Sequence, residues 1–283
     1  MLKSPKSFEE SVKSISEAFD SFSHALRINT EHLMRAPKLL RIDPQECARN
    51  LDQGLSAILN AFHSIYDAAK DDPRIVFEWN RTAPTATLLA IRNARHHNHA
   101  NRIRSLETFF TRGSQAGRSK NYGLFTYGPP PEVGEPAFIQ AISWEDTDAL
   151  LNMPHKASHL SAERVATIYS YVGGEAMAAF ASLQDARLPI FFDALPLIVN
   201  AAKAIVSVLG PHIKTLSVES ETFLDHFKTS SWFLALIPLF DRHGLSCSKS
   251  KRAIAPTTRA HLAHVAALVG FHCLWAVQHL LKP

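Results

Sequence analysis

The chain has 283 residues, of which 46% are apolar and 20% are charged, and its formal net charge is +4. These values are ordinary for a globular protein and exclude a strongly basic, histone-like chain. Three widely spaced cysteines without a C-x-x-C pair favour a reducing compartment, and the N-terminus has no apolar run of signal-peptide length. We therefore expect a cytoplasmic protein.

Three helices are predicted in the first hundred residues. Residues 7–27 carry apolar side chains three and four positions apart, which is the spacing of one buried stripe. A second helix is expected over 43–72, with Asp43 as its cap and Pro44 at its first position. The third helix is expected over 83–105, with an apolar first half and a polar, basic second half.

The middle of the chain has a different composition. Residues 111–159 are rich in Gly and Pro, so we expect loops and turns there. The stretches "YGLFTY" and "AFIQAISW" have the composition of short strands and leave room for a β-hairpin. Helical patterns return over 161–187, 188–210 and 217–229.

The predicted fold class is therefore mostly α, a helical bundle with an irregular Gly/Pro-rich insertion. We expect three segments: a helical bundle over 1–110, the insertion over 111–159 and a C-terminal helical region over 160–283. The third segment could pack into the same domain as the first.

The last predicted helix, residues 260–281, contains no Asp, Glu, Lys or Arg and is long enough to span a membrane. It also contains four histidines and a glutamine, which are unfavourable in hydrocarbon. We interpret it as a buried helix with a polar stripe and expect no membrane association. His261, His272 and His279 lie on one face but too far apart to bind one metal ion, so a seam against a ligand or another subunit fits them better.

Basic side chains are concentrated between residues 91 and 120, where Glu107 is the only acidic residue. The basic residues in this stretch are Arg92, Arg95, Arg102, Arg104, Arg112, Arg118 and Lys120. Phosphate binding is the simplest use of such a patch. The alternative is a solvated, basic helix end that binds nothing.

No common catalytic motif accounts for this patch. The chain has no phosphate-binding glycine loop, no G-x-S-x-G elbow and no H-E-x-x-H pair. His96 and His99 could share a helix face, but carboxylates are sparse around them and arginines are abundant, which disfavours a divalent metal. We predict neither a metal nor a cofactor.

The remaining hypothesis is acid–base catalysis by histidine next to arginines, whose positive charge is permanent. Histidine can give and take a proton near neutral pH, and arginine holds a phosphate with a permanently charged planar fork. Together they suit attack of an RNA 2′-hydroxyl on the adjacent phosphorus, with arginine stabilising the charge on the phosphoryl oxygens.

The hexapeptide "RNARHH", residues 92–97, is similar to the R-N-x-x-x-H signature of the HEPN superfamily. The family pattern is Arg, four to six residues and then His, often with a polar residue after the Arg. Asn93 supplies that polar residue, His97 fits a spacing of four and His99 a spacing of six. "RAHLAH", Arg259 to His264, matches the looser form of the pattern.

The resemblance implies a small helical-bundle ribonuclease that cleaves RNA without a metal, as a homodimer in which two copies of the motif form one composite site. It assigns Arg92 to clamp the phosphate and stabilise the transition state, Asn93 to act as the orienting hydrogen-bond partner, and His97 to act as general base or acid. The residues expected to contact the RNA are Arg95, His96, His99, Arg102 and Arg104. On a straight helix His96, rather than His97, shares a face with Arg92.

The resemblance also implies a biological setting and a rival function. The setting is a bacterial toxin or an anti-phage (abortive-infection) effector, with a regulatory or antitoxin-like protein as a possible partner. The rival function is a catalytically inactive RNA-binding or protein-interaction module of the same family. A third hypothesis is a helical protein that binds a small molecule through the C-terminal histidine stripe.

Overall fold

The computed structural model of the chain describes residues 8–96, 102–109, 123–125, 127, 139–183 and 189–229. Helices predominate in these ranges, and the strands form one small sheet. The prediction of a mostly α protein is confirmed. The predicted helix over 260–281 lies outside the described residues.

The first two helices form an antiparallel hairpin. Helix α1 spans Phe8–Ile42 and α2 spans Pro44–Ala69. Asp43 alone joins them, and its carboxylate accepts a hydrogen bond from the Glu46 backbone at 2.9 Å, so the predicted cap is confirmed. The rings of Phe22 and Phe62 meet between the two helices at a centroid distance of 6.0 Å.

Helix α3 spans Ala83–His96 and packs against α2. The prediction that this helix continues to residue 105 is wrong at its C-terminal end, because residues 102–105 are not helical. Their backbone bonds elsewhere: the Arg104 N–H donates to the Asp146 carboxylate at 2.8 Å instead of to a carbonyl of a preceding helical turn. A short helical turn follows over 106–109.

The sheet corrects two further predictions. Strands β1 (Gly123–Phe125) and β2 (Ala141–Ser143) occur within the two predicted stretches, but they do not form a hairpin with each other. Strand β3 (Ile190–Asp193) lies between them, parallel to β1 and antiparallel to β2. The residues of β3 were predicted to begin a helix over 188–210.

Six further helices are described. They are α4 (Trp144–Leu151), α5 (His155–Ser158), α6 (Ala162–Tyr171), α7 (Gly174–Leu183), α8 (Leu195–Leu209) and α9 (Val218–Thr229), with a 3₁₀ turn at Gly210–His212. The predicted helix over 161–187 is divided into α6 and α7 at Gly173, whose φ of 72° lies in the left-handed region.

One hydrophobic core contains side chains from both halves of the chain, including Phe62, Ile91, Phe192 and Ile205. Helix α3 packs against α6 and α8 as well as α2. The proposed division at residues 110 and 160 stays a prediction. The stretch Leu195–His212 is long and apolar enough to cross a membrane, and half of it is buried inside the protein.

Candidate functional site

The polar end of α3 places two residues of the predicted motif side by side. The first part of the helix is buried, as at Leu88 and Ile91, whereas Arg92 and Asn93 are half-buried. The Arg92 guanidinium donates a hydrogen bond to the Asn93 side-chain oxygen at 3.3 Å. Among the described residues, no carboxylate lies within ion-pair distance of Arg92, and its buried Nε has no hydrogen-bond partner.

The charge of Arg92 affects the pKa of the Asp67 carboxyl. It lies 3.0 Å from His63 Nδ1 and accepts a hydrogen bond from Lys70 at 2.7 Å. Burial alone would raise the pKa of the Asp67 carboxyl. The hydrogen bond from Lys70 and the charge of His63 outweigh burial and lower this pKa, and Arg92 adds to the lowering. Asp67 therefore bonds to His63 and Lys70 and, within the described residues, forms no ion pair with Arg92.

Arg95 is held inside the protein by a carboxylate. Its guanidinium lies 3.2 Å from Asp52, and the two side chains are only 8% and 11% exposed. The other oxygen of Asp52 accepts the backbone N–H of Glu107 at 3.0 Å. Arg95 thus joins α3 to α2, and its contacts do not support the predicted role in binding RNA.

Arg104 is also engaged by carboxylates. It bonds Asp146 through Nη2 at 2.6 Å and through Nε at 2.9 Å, and it reaches Glu145 at 3.1 Å. Its guanidinium stacks on the ring of Phe109 at 4.1 Å. The hydrogen bond with Asp146 raises the pKa of Arg104. Since its donors are already bonded to Asp146 and Glu145, a further anion would have to displace these carboxylates.

A cavity of about 400 Å³ opens beside Asn93. Its described lining residues are Ala90, Asn93, Ala94, Arg102, Leu150, Ser158, His159, Leu160 and Arg164. Arg102 donates a hydrogen bond to the carbonyl of Ala157, and Arg164 donates one to the carbonyl of Ala86 at 3.2 Å. No acidic side chain belongs to this described lining.

The two arginines of the cavity lack carboxylate partners within the part of the chain that the structure describes. The Arg164 Nε is buried there without a hydrogen-bond partner. Burial lowers the pKa of Arg164, because the protein interior solvates its charge less well than water does. Among the described residues, the partly buried arginines therefore form two groups: Arg95 and Arg104 are paired with carboxylates, whereas Arg92, Arg102 and Arg164 are not.

The predicted histidines cannot be placed in this geometry. His97 and His99 lie outside the described residues, and only the backbone of His96 is described, as the last residue of α3. Arg112, Arg118, Lys120 and the second match at Arg259 and His264 also lie outside. Within the described ranges, no three His, Cys, Asp or Glu side chains converge as metal ligands would.

Sequence reasoning missed Arg164 and His159. The signal for Arg164 is its position: it lies four residues before Ile168 and eight before Val172, both buried, so it occupies the apolar stripe of α6. A charge in that position indicates either an internal partner or a ligand. Nothing in the sequence around His159 indicates that it lines the same cavity as α3, because that placement depends on tertiary packing.

Comparison with known proteins gives no match: no protein-family model fits the chain, no curated protein is similar in sequence, and no solved structure is similar in fold.

Proposed function

We propose that this protein is a metal-independent endoribonuclease of the HEPN type, centred on Arg92, Asn93 and His97. The observation that carries the proposal is the state of Arg92. Its half-buried guanidinium is hydrogen-bonded to Asn93 and, among the described residues, is not neutralised by a carboxylate. An arginine in this state can form the two parallel hydrogen bonds that a phosphate accepts.

The contrast among the neighbouring arginines refines the proposed contact with RNA. Arg95 and Arg104 are already paired with Asp52 and Asp146, so binding a phosphate would require breaking those pairs. Within the part of the chain that the structure describes, Arg92 and Arg102 have no ion pair that a phosphate would have to break. The proposed backbone contact therefore rests on Arg92 and Arg102, with His96 and His99 as further candidates from the sequence.

The proposed reaction is a transesterification. His97 removes the proton from a ribose 2′-hydroxyl, and the 2′-oxygen forms a bond to the adjacent phosphorus while the bond from phosphorus to the 5′-oxygen breaks. The leaving 5′-oxygen takes up a proton, which the second copy of His97 supplies in a homodimer. Arg92 stabilises the negative charge that builds on the phosphoryl oxygens, and Asn93 orients Arg92. The products are a 2′,3′-cyclic phosphate and a 5′-hydroxyl.

The proposed setting follows the same resemblance. Cleavage of RNA by a bacterial toxin or an anti-phage effector is harmful to the cell that makes it, so a regulatory or antitoxin-like protein is the proposed partner. We propose that the enzyme acts in the cytoplasm, where its RNA substrate is found.

Cleavage of total RNA in EDTA tests the proposal. The wild-type protein is compared with Arg92→Ala, His97→Ala, His96→Ala and His99→Ala, and with Arg41→Ala as the control, since Arg41 is an exposed arginine at the end of α1. We expect cleavage by the wild type and the control, and a loss of at least 100-fold in Arg92→Ala and His97→Ala. Circular dichroism confirms that each variant is folded.

The histidine variants also identify the general base. Positions 92 and 96 share a helix face, whereas position 97 is about 140° away from position 92 on a straight helix. A loss in His96→Ala with full activity in His97→Ala would move the base to His96. Salt-sensitive binding of RNA without cleavage would replace the enzyme by the catalytically inactive module.

A further inference from the structure

The segment that follows α2, residues 74–78, has the alternating exposure of a β-strand. Its even-numbered residues are exposed, namely Arg74, Val76 and Glu78. Its odd-numbered residues, Ile75 and Phe77, are half-buried and pack against the hydrophobic core. A period of two is typical of an extended segment with one face on a core, and Ile, Val and Phe all have high β propensity. The segment is therefore suited to pairing with another strand.

The backbone at the centre of this segment has unpaired polar groups. Among the described residues, neither the N–H nor the carbonyl of Val76 has a hydrogen-bond partner, and this residue is 85% exposed. Exposed extended segments of this kind are templates for a further strand, and natural proteins usually block them with Pro or Lys. Residues 75–78 contain neither Pro nor Lys. The segment is therefore open to β-pairing.

The sequence of the segment is complementary to itself. If two copies run antiparallel with Val76 opposite Val76, position 74 faces position 78 and position 75 faces position 77. The N–H and the carbonyl of each Val76 then bond to those of the other. Each Arg74 lies opposite Glu78 of the partner subunit, so an opposite-charge pair flanks the two valines on each side. A second copy of this chain therefore supplies the matching strand and the matching charges.

Both charged side chains have capacity for such a pair. Arg74 donates to Asp72 through Nε at 2.7 Å and through Nη2 at 2.5 Å, and neither bond uses its Nη1. Glu78 accepts a hydrogen bond from Arg81 at 3.0 Å, but both of these side chains are mostly exposed. An exposed ion pair of this kind contributes little to stability, so Glu78 can exchange it for a pair across the interface.

Apolar surface borders the segment. The Phe8 side chain is 54% exposed, and the Arg74 guanidinium lies 4.7 Å from the centre of its ring. Val76 and Phe8 are thus exposed apolar residues on either side of one arginine. Removing such surface from water favours association.

We propose that residues 74–78 pair with the same residues of a second copy, so that two chains associate about a two-fold axis at Val76. Five residues in each strand form a small interface, so we expect a weak, concentration-dependent dimer. It is not the dimer of the proposed function. The segment follows the end of α2 at Ala69, about 25 Å along that helix from Asp52, which holds Arg95 of the motif helix. This proposal therefore goes beyond RNA cleavage and does not depend on it.

Disulfide crosslinking of the full chain tests the register. Val76→Cys is made in a background of Cys247→Ser and Cys273→Ser. Val218→Cys is the matched control, because Val218 is also an exposed valine, at 75%. Opposite Cα atoms in the proposed pair lie about 5.5 Å apart, which suits a disulfide, so we expect mild oxidation to link two copies of Val76→Cys. Val76→Cys that stays monomeric, or that crosslinks no more than Val218→Cys, would overturn the proposal.

Sedimentation velocity over a wide range of protein concentrations measures the association without a crosslink. Val76→Pro removes the central N–H donor and should weaken the association at least tenfold, whereas Val76→Thr keeps the donor and should associate like the wild type. The monomer should accept proline, since no described residue accepts a hydrogen bond from this N–H. A wild type that does not associate, or an association that Val76→Pro leaves unchanged, would refute the interface.

Glu78→Arg decides if Val76→Pro does not fold. It places arginines opposite each other on both sides of the two-fold axis and should also weaken the association at least tenfold. Unchanged association in Glu78→Arg would contradict the proposed register. Arg92→Ala should associate at this interface like the wild type, whatever its effect on RNA cleavage, so the two proposals can fail separately.

Discussion

At the residue scale, the two arginines near the end of α3 have different kinds of partner. Arg95 is part of a buried pair with Asp52, and the same carboxylate holds the backbone of Glu107. Arg92 is one position from Asn93 and, within the described ranges, is not paired with an acid. Of these two arginines, three positions apart on one helix, Arg95 therefore stabilises the fold, and Arg92 is the one that we propose binds a phosphate.

Removing Arg95 should therefore damage the fold. Arg95→Met leaves the Asp52 carboxylate buried without its partner, and we expect a loss of about 3–5 kcal/mol in the free energy of unfolding. Urea denaturation measures this loss. The double variant Arg95→Met/Asp52→Leu removes both charges and should recover most of the stability. A single variant as stable as the wild type would show that the pair is not important for folding.

Asp193 makes stability depend on pH. Burial raises the pKa of this carboxyl to about 6, and the hydrogen bonds from the backbone N–H groups of Leu195 and Gln140 only partly oppose the rise. The unfolded carboxyl has a pKa of about 4. The folded state therefore holds the extra proton between about pH 4 and pH 6, and this contribution to stability is lost as the pH rises through 6.

Asp193→Asn should remove the fall in stability between about pH 4 and pH 6, because asparagine does not titrate. Its side-chain oxygen can still accept the two backbone hydrogen bonds. We expect the variant and the wild type to differ little near pH 4, and the variant to gain up to about 3 kcal/mol relative to the wild type by pH 7. Urea denaturation at both pH values measures the difference. Asp71→Asn, at an exposed position, is the control for the loss of one carboxyl. A difference that stays constant with pH would contradict the raised pKa.

At the element scale, the contact between α1 and α2 depends on a glycine. A Cβ atom on Gly54 would overlap the side-chain oxygen of Asn29 and lie 3.3 Å from the His32 ring. Gly54 therefore allows the two helices to approach closely where residues 29 and 54 face each other. The α1–α2 hairpin supports α3, since α3 packs against α2.

Gly54→Ala should destabilise the protein although alanine is the better helix former. Helix propensity favours alanine by about 1 kcal/mol, but the overlap at the helix interface costs about 1–3 kcal/mol and also disturbs the buried Asn29. Thermal unfolding measures the result. Gly210→Ala is the control, because its Cβ would meet neighbours only at 3.5 Å and 3.8 Å. A higher Tm in Gly54→Ala would contradict the close approach.

Helix α2 was predictable because its signals are local, whereas α4 and α5 lie in the segment 111–159 that was predicted to contain loops and turns. Asp43, Pro44 and the apolar stripe of 43–72 are adjacent in the chain, and the structure confirms the cap and the helix. Strand β3 was missed because "IFFD" is a short apolar run that also suits a buried helix. Its assignment depends on β1 and β2, which are distant in sequence, and local patterns do not report such pairing.

At the scale of the whole molecule, some features of the candidate site have local sequence signals, whereas others depend on contacts between distant segments. The sequence indicated Arg92 and Asn93 through an unusual local composition. It could not distinguish Arg95 from Arg92, since Asp52 comes from another helix. The position of Arg164 in an apolar stripe marks it as unusual, but nothing local shows that it bonds to α3. The fold adds to the motif a cavity with two arginines that no described carboxylate neutralises.

The chemical ends of the cleavage products test the proposed function most directly. Purified wild-type protein is incubated with a defined RNA in EDTA, and the product ends are identified by mass spectrometry. Transesterification by a general base and an arginine predicts a 2′,3′-cyclic phosphate and a 5′-hydroxyl, and at least 100-fold less product from Arg92→Ala. Intact RNA, or products with a 3′-hydroxyl and a 5′-phosphate, would contradict the account.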